Sequence, residues 1–220
     1  MRQIAVIGCG QFGSSVALTL SQLGHDVLVI DNNEELIDGI VDKVSHAVVA
    51  DVTVDGTLRD LGIGNFDIVV IGMSTSFQAS IIATIAAKDL GVPLVVAKVR
   101  DALHGRVLKK IGADKIVIPE KDMGIRLAHN LTSRNTIDFI ELSDEYSIIE
   151  LEVPKKWVGM SILDLRIRER FGVSIVAVKE TDGHININPR PEIVLEDGNT
   201  VIVIGQEEEI IKVESLSNEE

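Results

Sequence analysis

The sequence predicts an α/β chain, a doubly wound parallel sheet covered by helices and followed by a small α+β domain. Two observations predict this class. Through residues 1–136, short aliphatic runs alternate with helix-period segments, the pattern of parallel strands joined by helices. Over residues 137–216 the helices thin out, and short strands follow one another across polar turns. Composition agrees. Hydrophobic residues make up 45% of the chain but aromatics only 3%, so the core is built from Val, Ile, Leu and Ala. Strands buried on both faces read as such continuous aliphatic runs.

Taken in order, the first domain's strands are predicted at Ile4–Ile7, Val27–Ile30, Ala47–Ala50, Ile68–Ile71, Leu94–Lys98 and Lys115–Ile118. Helix patterns fall between them at Phe12–Leu23, Glu34–Lys43, Asp55–Leu61, Ser76–Asp89 and Leu103–Ile111. The turns Leu23-Gly24-His25-Asp26 and Leu90-Gly91-Val92-Pro93 place glycine at or just past a helix C-terminus. A sixth helix, Met123–Ser133, carries an incomplete apolar stripe at Ile125, Leu127, Ala128 and Leu131; it either packs on its own sheet or crosses to a partner subunit. In the second domain, strands are predicted at Phe139–Leu142, Ser147–Val153, Ser174–Val178, His184–Ile187 and Thr200–Ile204. One helix is predicted at Ile162–Arg170, capped by Ser161 with Asp164 in its first turn. Asp182-Gly183 signals a hairpin and Asp197-Gly198 a turn. Glu207–Val213 is helical, and the tail from Ser217 to Glu220 is expected to fray.

The chemistry concentrates at the first strand. Ile4–Ile7 runs into Gly8-Cys9-Gly10-Gln11-Phe12-Gly13, and Asp31 ends the second strand 18 residues beyond Gly13. This is the dinucleotide-binding turn of a Rossmann domain with its strand, helix and acid in place. Gly8 permits the tight turn, Gly10 lets backbone approach a phosphate, and Gly13 lets helix and strand pack closely. The helix N-terminus offers unpaired N–H groups to an anion. Asp31 would accept hydrogen bonds from ribose hydroxyls; its other reading is a helix cap shared with Asn32 or Asn33. No Arg or Lys closely follows Asp31, which disfavours NADP. Cys9 is the sole cysteine, so no intrachain disulfide is possible. Its position suits either a small residue in a tight loop or a thiol lowered by the helix end.

Charge and composition exclude several classes. The formal net charge is −13, which repels nucleic acid and anionic lipid at long range. Sparse aromatics argue against base-stacking surfaces. No apolar run approaches the roughly 18 residues of a membrane span, so no direct membrane insertion is expected. Met1-Arg2-Gln3 running into a strand is not a signal peptide. A cytoplasmic location is expected. His25, His46, His104 and His129 show no metal-ligand spacing.

Further segments carry a family resemblance. They are Ser45-His46-Ala47-Val48, Gln78-Ala79-Ser80, Lys109-Lys110-Ile111-Gly112-Ala113-Asp114 and, most distinctive, Pro119-Glu120-Lys121-Asp122-Met123-Gly124. They continue with Leu142-Ser143-Asp144-Glu145-Tyr146-Ser147, Val158-Gly159-Met160-Ser161-Ile162-Leu163-Asp164-Leu165, Arg168-Glu169-Arg170-Phe171-Gly172-Val173 and Asp197-Gly198-Asn199-Thr200-Val201-Ile202-Val203-Ile204-Gly205. With the glycine turn, these make nearly the whole chain resemble TrkA/KtrA-type regulatory proteins, built from an RCK (regulator of K⁺ conductance) N-domain and C-domain. The resemblance implies a cytosolic subunit that dimerises, assembles into a ring (an octamer) and docks on an integral-membrane K⁺-translocating subunit. It also implies gating by an adenine nucleotide, ATP against ADP or NADH against NAD⁺.

Residue by residue, the resemblance adds Gln11, Phe12, Asn32, Asp51, Val52, Thr53, Met73 and Ser74 to a nucleotide site around Gly8, Gly10, Gly13 and Asp31. Asp51 alternatively caps the following helix. Lys98 either reaches a phosphate or is a solvated surface lysine. Glu120 matches a glutamate that helps hold Mg²⁺ or Ca²⁺ near the γ-phosphate in ATP-binding members, or is an ordinary first-turn glutamate. Gln11 departs from the pattern. Many relatives carry arginine there, contacting the γ-phosphate across the dimer, and glutamine cannot reproduce that charge. ADP, AMP or NAD(H) gain weight, unless another cation such as Arg100 compensates. In the C-domain, Arg168, Ile175, His184 and Pro191 fall in segments that bind cyclic di-AMP in some relatives.

The leading expectation is therefore a non-enzymatic sensor gating a K⁺ transporter. An NAD-dependent oxidoreductase is the alternative, weakened because no large substrate domain and no acid/base pair are evident. A cyclic di-AMP sensor and a structural ring protein are further alternatives.

Overall fold

The computed structural model describes residues 1–73, 76–132, 136–143 and 145–218. The aliphatic runs become six parallel strands: β1 (Gln3–Ile7), β2 (Asp26–Asp31), β3 (His46–Val49), β4 (Ile68–Ile71), β5 (Leu94–Lys98) and β6 (Lys115–Val117). Their order is β3-β2-β1-β4-β5-β6, with Ile4 in register with both Val27 and Ile68. Alternate residues of each strand feed opposite faces. Val6, Val27 and Val29 join one core with Ala17 of α1 (Gln11–Gln22) and Ile37 of α2 (Glu34–Asp38). Ala5, Ile7, Leu28 and Ile30 join the other with Leu58 of α3 (Thr57–Asp60), Ala83 and Ala87 of α4 (Phe77–Asp89) and Leu108 of α5 (Ala102–Lys110). Burial on both faces is why these strands read as unbroken hydrophobic runs. The chain winds one way from β1 to β3 and the other from β4 to β6, so the segments leaving β1 and β4 diverge. A crevice opens at the carboxyl ends of the strands, the topological switch point.

Two helices are shorter than their patterns predict. The Glu34–Lys43 segment ends as α-helix at Asp38, because Gly39 weakens propagation, and resumes as a 3₁₀ turn at Val41–Lys43. The Asp55–Leu61 pattern yields only Thr57–Asp60, because Gly56 at φ +82° is outside helical space.

By contact the chain divides into two units, Met1–Glu120 and Lys121–Glu220. The segment joining them is α6 (Pro119–Thr132), which begins four residues before the predicted Met123, with proline at its first position, where the missing N–H costs nothing. The second unit holds β7 (Thr136–Glu141), β8 (Tyr146–Glu152), β9 (Ser174–Lys179), β10 (Ile185–Ile187) and β11 (Thr200–Gln206), in the antiparallel order β10-β9-β11-β8-β7. Its core gathers Ile149, Leu151, Trp157, Val201 and Val203. The predicted Ile162–Arg170 helix is two, α7 (Ile162–Leu165) and α8 (Ile167–Phe171), broken at Arg166, which stands at φ +49°. Ser161 caps α7 as predicted, accepting the Asp164 N–H at 3.1 Å. The last helix, α9 (Glu207–Asn218), continues past Val213 through Ser217 and Asn218; Glu219 and Glu220 lie outside the described residues. No described helix is long and apolar enough to cross a membrane.

Candidate functional site

The crevice at the switch point is a cleft of about 540 Å³. Its floor is the glycine turn. Gly8 adopts φ +96°, and a Cβ on Gly13 would lie 1.8 Å from the Gly8 carbonyl oxygen, so only glycine lets α1 start this close to β1. Gly10 differs. A Cβ there would meet nothing within 4 Å, so its bareness serves no contact within the protein and leaves backbone open to the cleft. Gly10 is also the N-cap of α1 and makes no side-chain capping bond, whereas Asn33, Ser76 and Asp101 cap α2, α4 and α5. The first bond of α1 runs from the Ser14 N–H to the Gly10 carbonyl, so the N–H groups of Gln11, Phe12 and Gly13 precede the helical ladder. The first turn has no acidic residue. An anion would find unpaired donors and positive partial charge there.

Asp31 ends β2, the strand beside β1, next to the glycine turn. Its Oδ2 accepts the Cys9 N–H at 2.6 Å and its Oδ1 accepts the Asn33 N–H at 2.9 Å. The carboxylate is thereby oriented by backbone on both sides, and each oxygen keeps a lone pair for a ligand hydroxyl. Asn33, not Asp31, caps α2, accepting the Glu35 N–H at 2.9 Å. Burial, then the Asp31 charge, pushes the Cys9 thiol above its ordinary value, opposite to activation by a helix end. Cys9 is a small buried residue of the turn.

On the third wall, Asp51 Oδ1 accepts both the hydroxyl and the N–H of Thr53, at 2.7 and 2.8 Å, and these bonds hold its carboxyl below the usual range. Val52 is buried against the core, and Met73 follows β4. Lys98 closes the site from the end of β5. Its ammonium sits 2.6 Å from Glu120 Oε1 and 5.7 Å from the centre of the Phe12 ring. The hydrogen bond from Lys98 is the main cause holding the Glu120 carboxyl below its ordinary value.

The structure thus brings Gly8, Gly10, Gln11, Phe12, Asp31, Asn32, Asp51, Val52, Thr53, Met73 and Lys98 around one cleft. Gly13 lies beneath it as a packing residue. Ser74 lies outside the described residues. Arg100 is exposed and is not among the described walls. Sequence reasoning missed Gly72 and Ser76. Gly72 had a signal, a glycine ending the fourth aliphatic run, and a Cβ on it would stand 3.2 Å from Gly13 Cα. Among the described residues no group of three or more His, Cys, Asp or Glu gathers to hold a metal. Glu120 is engaged by the Lys98 ammonium. The residues do fit a nucleotide: open backbone donors, an oriented carboxylate and an ammonium around one cleft.

In the second unit, Arg168 Nε donates to Ser174 Oγ at 2.9 Å, beside Ile175 of β9. His184 is exposed in the β9–β10 turn, its N–H bonded to Asp182. Pro191 is exposed beyond β10, its carbonyl accepting the Leu163 N–H.

A glycine-turn crevice at the switch point of a 3-2-1-4-5-6 sheet defines a Rossmann-class domain, here followed by a small antiparallel α+β unit. Comparison with known proteins narrows the class. Residues 4–119 match the TrkA-N domain and residues 147–218 the TrkA-C domain. Ktr system potassium uptake protein A of Bacillus subtilis (strain 168) is 39% identical over 214 residues, covering 97% of this chain and 96% of that protein. Its namesake in Vibrio alginolyticus is 36% identical over 216 residues, covering 98% of each. The chain belongs to this family of Ktr and Trk potassium uptake proteins. The fold is also that of the GsuK RCK domain, with a TM-score of 0.67 at 22% identity, covering 99% of this chain and 48% of that chain.

Proposed function

We propose that the chain is a cytosolic regulatory subunit of a membrane K⁺-uptake system that senses an adenine nucleotide in the β1–β4 crevice. The observation that carries the reading is Asp31, whose carboxylate accepts two backbone N–H groups beside a helix N-terminus with no side-chain cap. Ribose hydroxyls would take the free lone pairs of Asp31. The phosphates would lie on Gly10 and the N–H groups of Gln11 and Phe12. Asp51, Val52, Thr53 and Met73 would bound the base. The nucleotide is ATP, ADP or NAD(H), and neutral Gln11 favours those not needing a γ-phosphate contact at that position. The binding domain is read as residues 1–136 and the second domain as 137–216. A divalent cation at Glu120 would need phosphate oxygens of the ligand to complete its shell.

The reading is of a sensor rather than an oxidoreductase, and the names of the full-length relatives support a role in K⁺ uptake. Subunits would assemble as dimers into a ring docked on the membrane K⁺-translocating subunit. Ligand would act by binding one ring conformation better than another, since equal affinity shifts nothing.

Thermal unfolding with ATP, ADP, AMP, NAD⁺, NADH and cyclic di-AMP, with and without Mg²⁺, tests the reading. A ligand at 100 times its Kd adds about 2.7 kcal/mol of stability. At least one adenine mononucleotide or NAD(H) is expected to stabilise the protein. A response to cyclic di-AMP alone, or to none, would overturn the site.

A further inference from the structure

We infer that Glu120 competes with the ligand's phosphate for Lys98, the two anions drawing on one ammonium. The inference rests on the nucleotide reading above and deepens it. Among the described residues that line the cleft, Lys98 is the only cation, and Asp31 and Asp51 supply two anions. Gln11 adds no charge. A phosphate placed on the α1 N-terminus therefore depends on Lys98 for any side-chain neutralisation.

The geometry puts the ammonium where such a phosphate would need it. Lys98 ends β5, and its ammonium lies over the ring of Phe12, the second residue of α1. There it gains from the ring's negative face without spending a hydrogen. The side chain is only 12% exposed, so the cleft fixes it. Glu120 is different. Its side chain is 67% exposed and stands in the first turn of α6, free to turn into water. The pair at 2.6 Å thus joins a fixed cation to a movable anion. A phosphate offers the ammonium more charge and more acceptor oxygens than one carboxylate. Binding phosphate then means displacing Glu120 or holding two anions on one ammonium, and either way the carboxylate weakens the ligand.

This makes a prediction opposite to a glutamate that only holds a metal. With divalent cations removed by EDTA, Glu120→Gln is expected to tighten ADP by roughly 2- to 5-fold, the scale of one partly exposed ion pair. Lys98→Met is expected to weaken ADP. In the Lys98→Met background, adding Glu120→Gln is expected to give no gain, because the cation they compete for is gone. Isothermal titration of ADP into the four proteins reads all of this, with adenosine, which carries no phosphate, as a ligand whose affinity should not respond to Glu120→Gln. Unchanged or weaker ADP binding by Glu120→Gln in EDTA would overturn the inference. So would an equal gain in the Lys98→Met background, which would mean plain repulsion without competition. If the wild-type protein takes up ADP and these results fail, the inference alone falls. If it binds no adenine nucleotide, the site reading falls with it.

Discussion

Asp31 is the residue on which fold and function meet, and Asp31→Ala separates the two. In the native protein its carboxylate takes the Cys9 N–H at 2.6 Å and the Asn33 N–H at 2.9 Å. Alanine leaves both donors without that partner. Cys9 is 3% exposed, so its N–H is poorly placed to recover a water. An unsatisfied buried donor costs about 1–3 kcal/mol, and that is the expected loss of stability in ligand-free chemical denaturation. Binding loses a further interaction. Two ribose hydroxyls donating to a carboxylate are charge-assisted, and losing them is expected to cost about 1.5–3 kcal/mol, roughly 10- to 150-fold in Kd. Isothermal titration at a temperature where both proteins are folded measures this apart from the stability change. Unchanged affinity would refute the ribose role. Unchanged stability would refute the cost assigned to the unpaired Cys9 N–H.

Three further predictions concern the same domain. Gly13→Ala would place a methyl 1.8 Å from the Gly8 carbonyl oxygen, so α1 must move off β1, and a loss of about 3 kcal/mol or more is expected in denaturant titration. Gly10→Ala meets nothing within 4 Å and is expected to keep native stability while losing nucleotide affinity; the reverse pattern would refute the assignment of these two glycines. His104 gives a pH dependence. It is 2% exposed, with Nε2 2.8 Å from Ser80 Oγ and, among the described residues, no hydrogen-bond partner for Nδ1; burial lowers its pKa, outweighing Asp101, while Arg100 adds to the lowering. The unfolded chain binds the proton more readily, so the stability is present in full above about pH 6.5 and falls as pH drops toward the lowered native value. Denaturation midpoints at pH 7.5 and 5.5 should differ more for wild type than for His104→Gln; equal slopes would dismiss the residue as a source.

Most of the site was legible because its residues are set by local backbone demands. A tight turn, a close helix and a backbone open to the cleft each call for glycine at a fixed offset, and Asp31 ends the neighbouring strand. What escaped the sequence depends on partners distant along the chain. Gly72 is bare because Gly13 packs against it, a contact that exists only once β4 lies beside β1. Arg166 breaks a helix pattern with no glycine or proline to announce it. The junction of Lys98 and Glu120 was invisible for the same reason. Each was a candidate alone, but their pairing follows from register, since Lys98 stands beside Val117 in the β5–β6 ladder and Glu120 lies three residues further on.

The proposed site would hold an anion in a chain of net charge −13. At about 0.15 M salt the Debye length is near 8 Å, so exposed carboxylates elsewhere are largely screened within the cleft. What a phosphate would meet is set by its immediate neighbours: the N–H groups of Gln11 and Phe12 at the start of α1, one ammonium over Phe12, and the carboxylate paired with that ammonium. The N–H groups are fixed by the fold. The ammonium is not fully available until Glu120 yields. On the proposed reading, an acidic chain would need no basic surface to bind a nucleotide, and its affinity would be set in part by the Lys98–Glu120 ion pair.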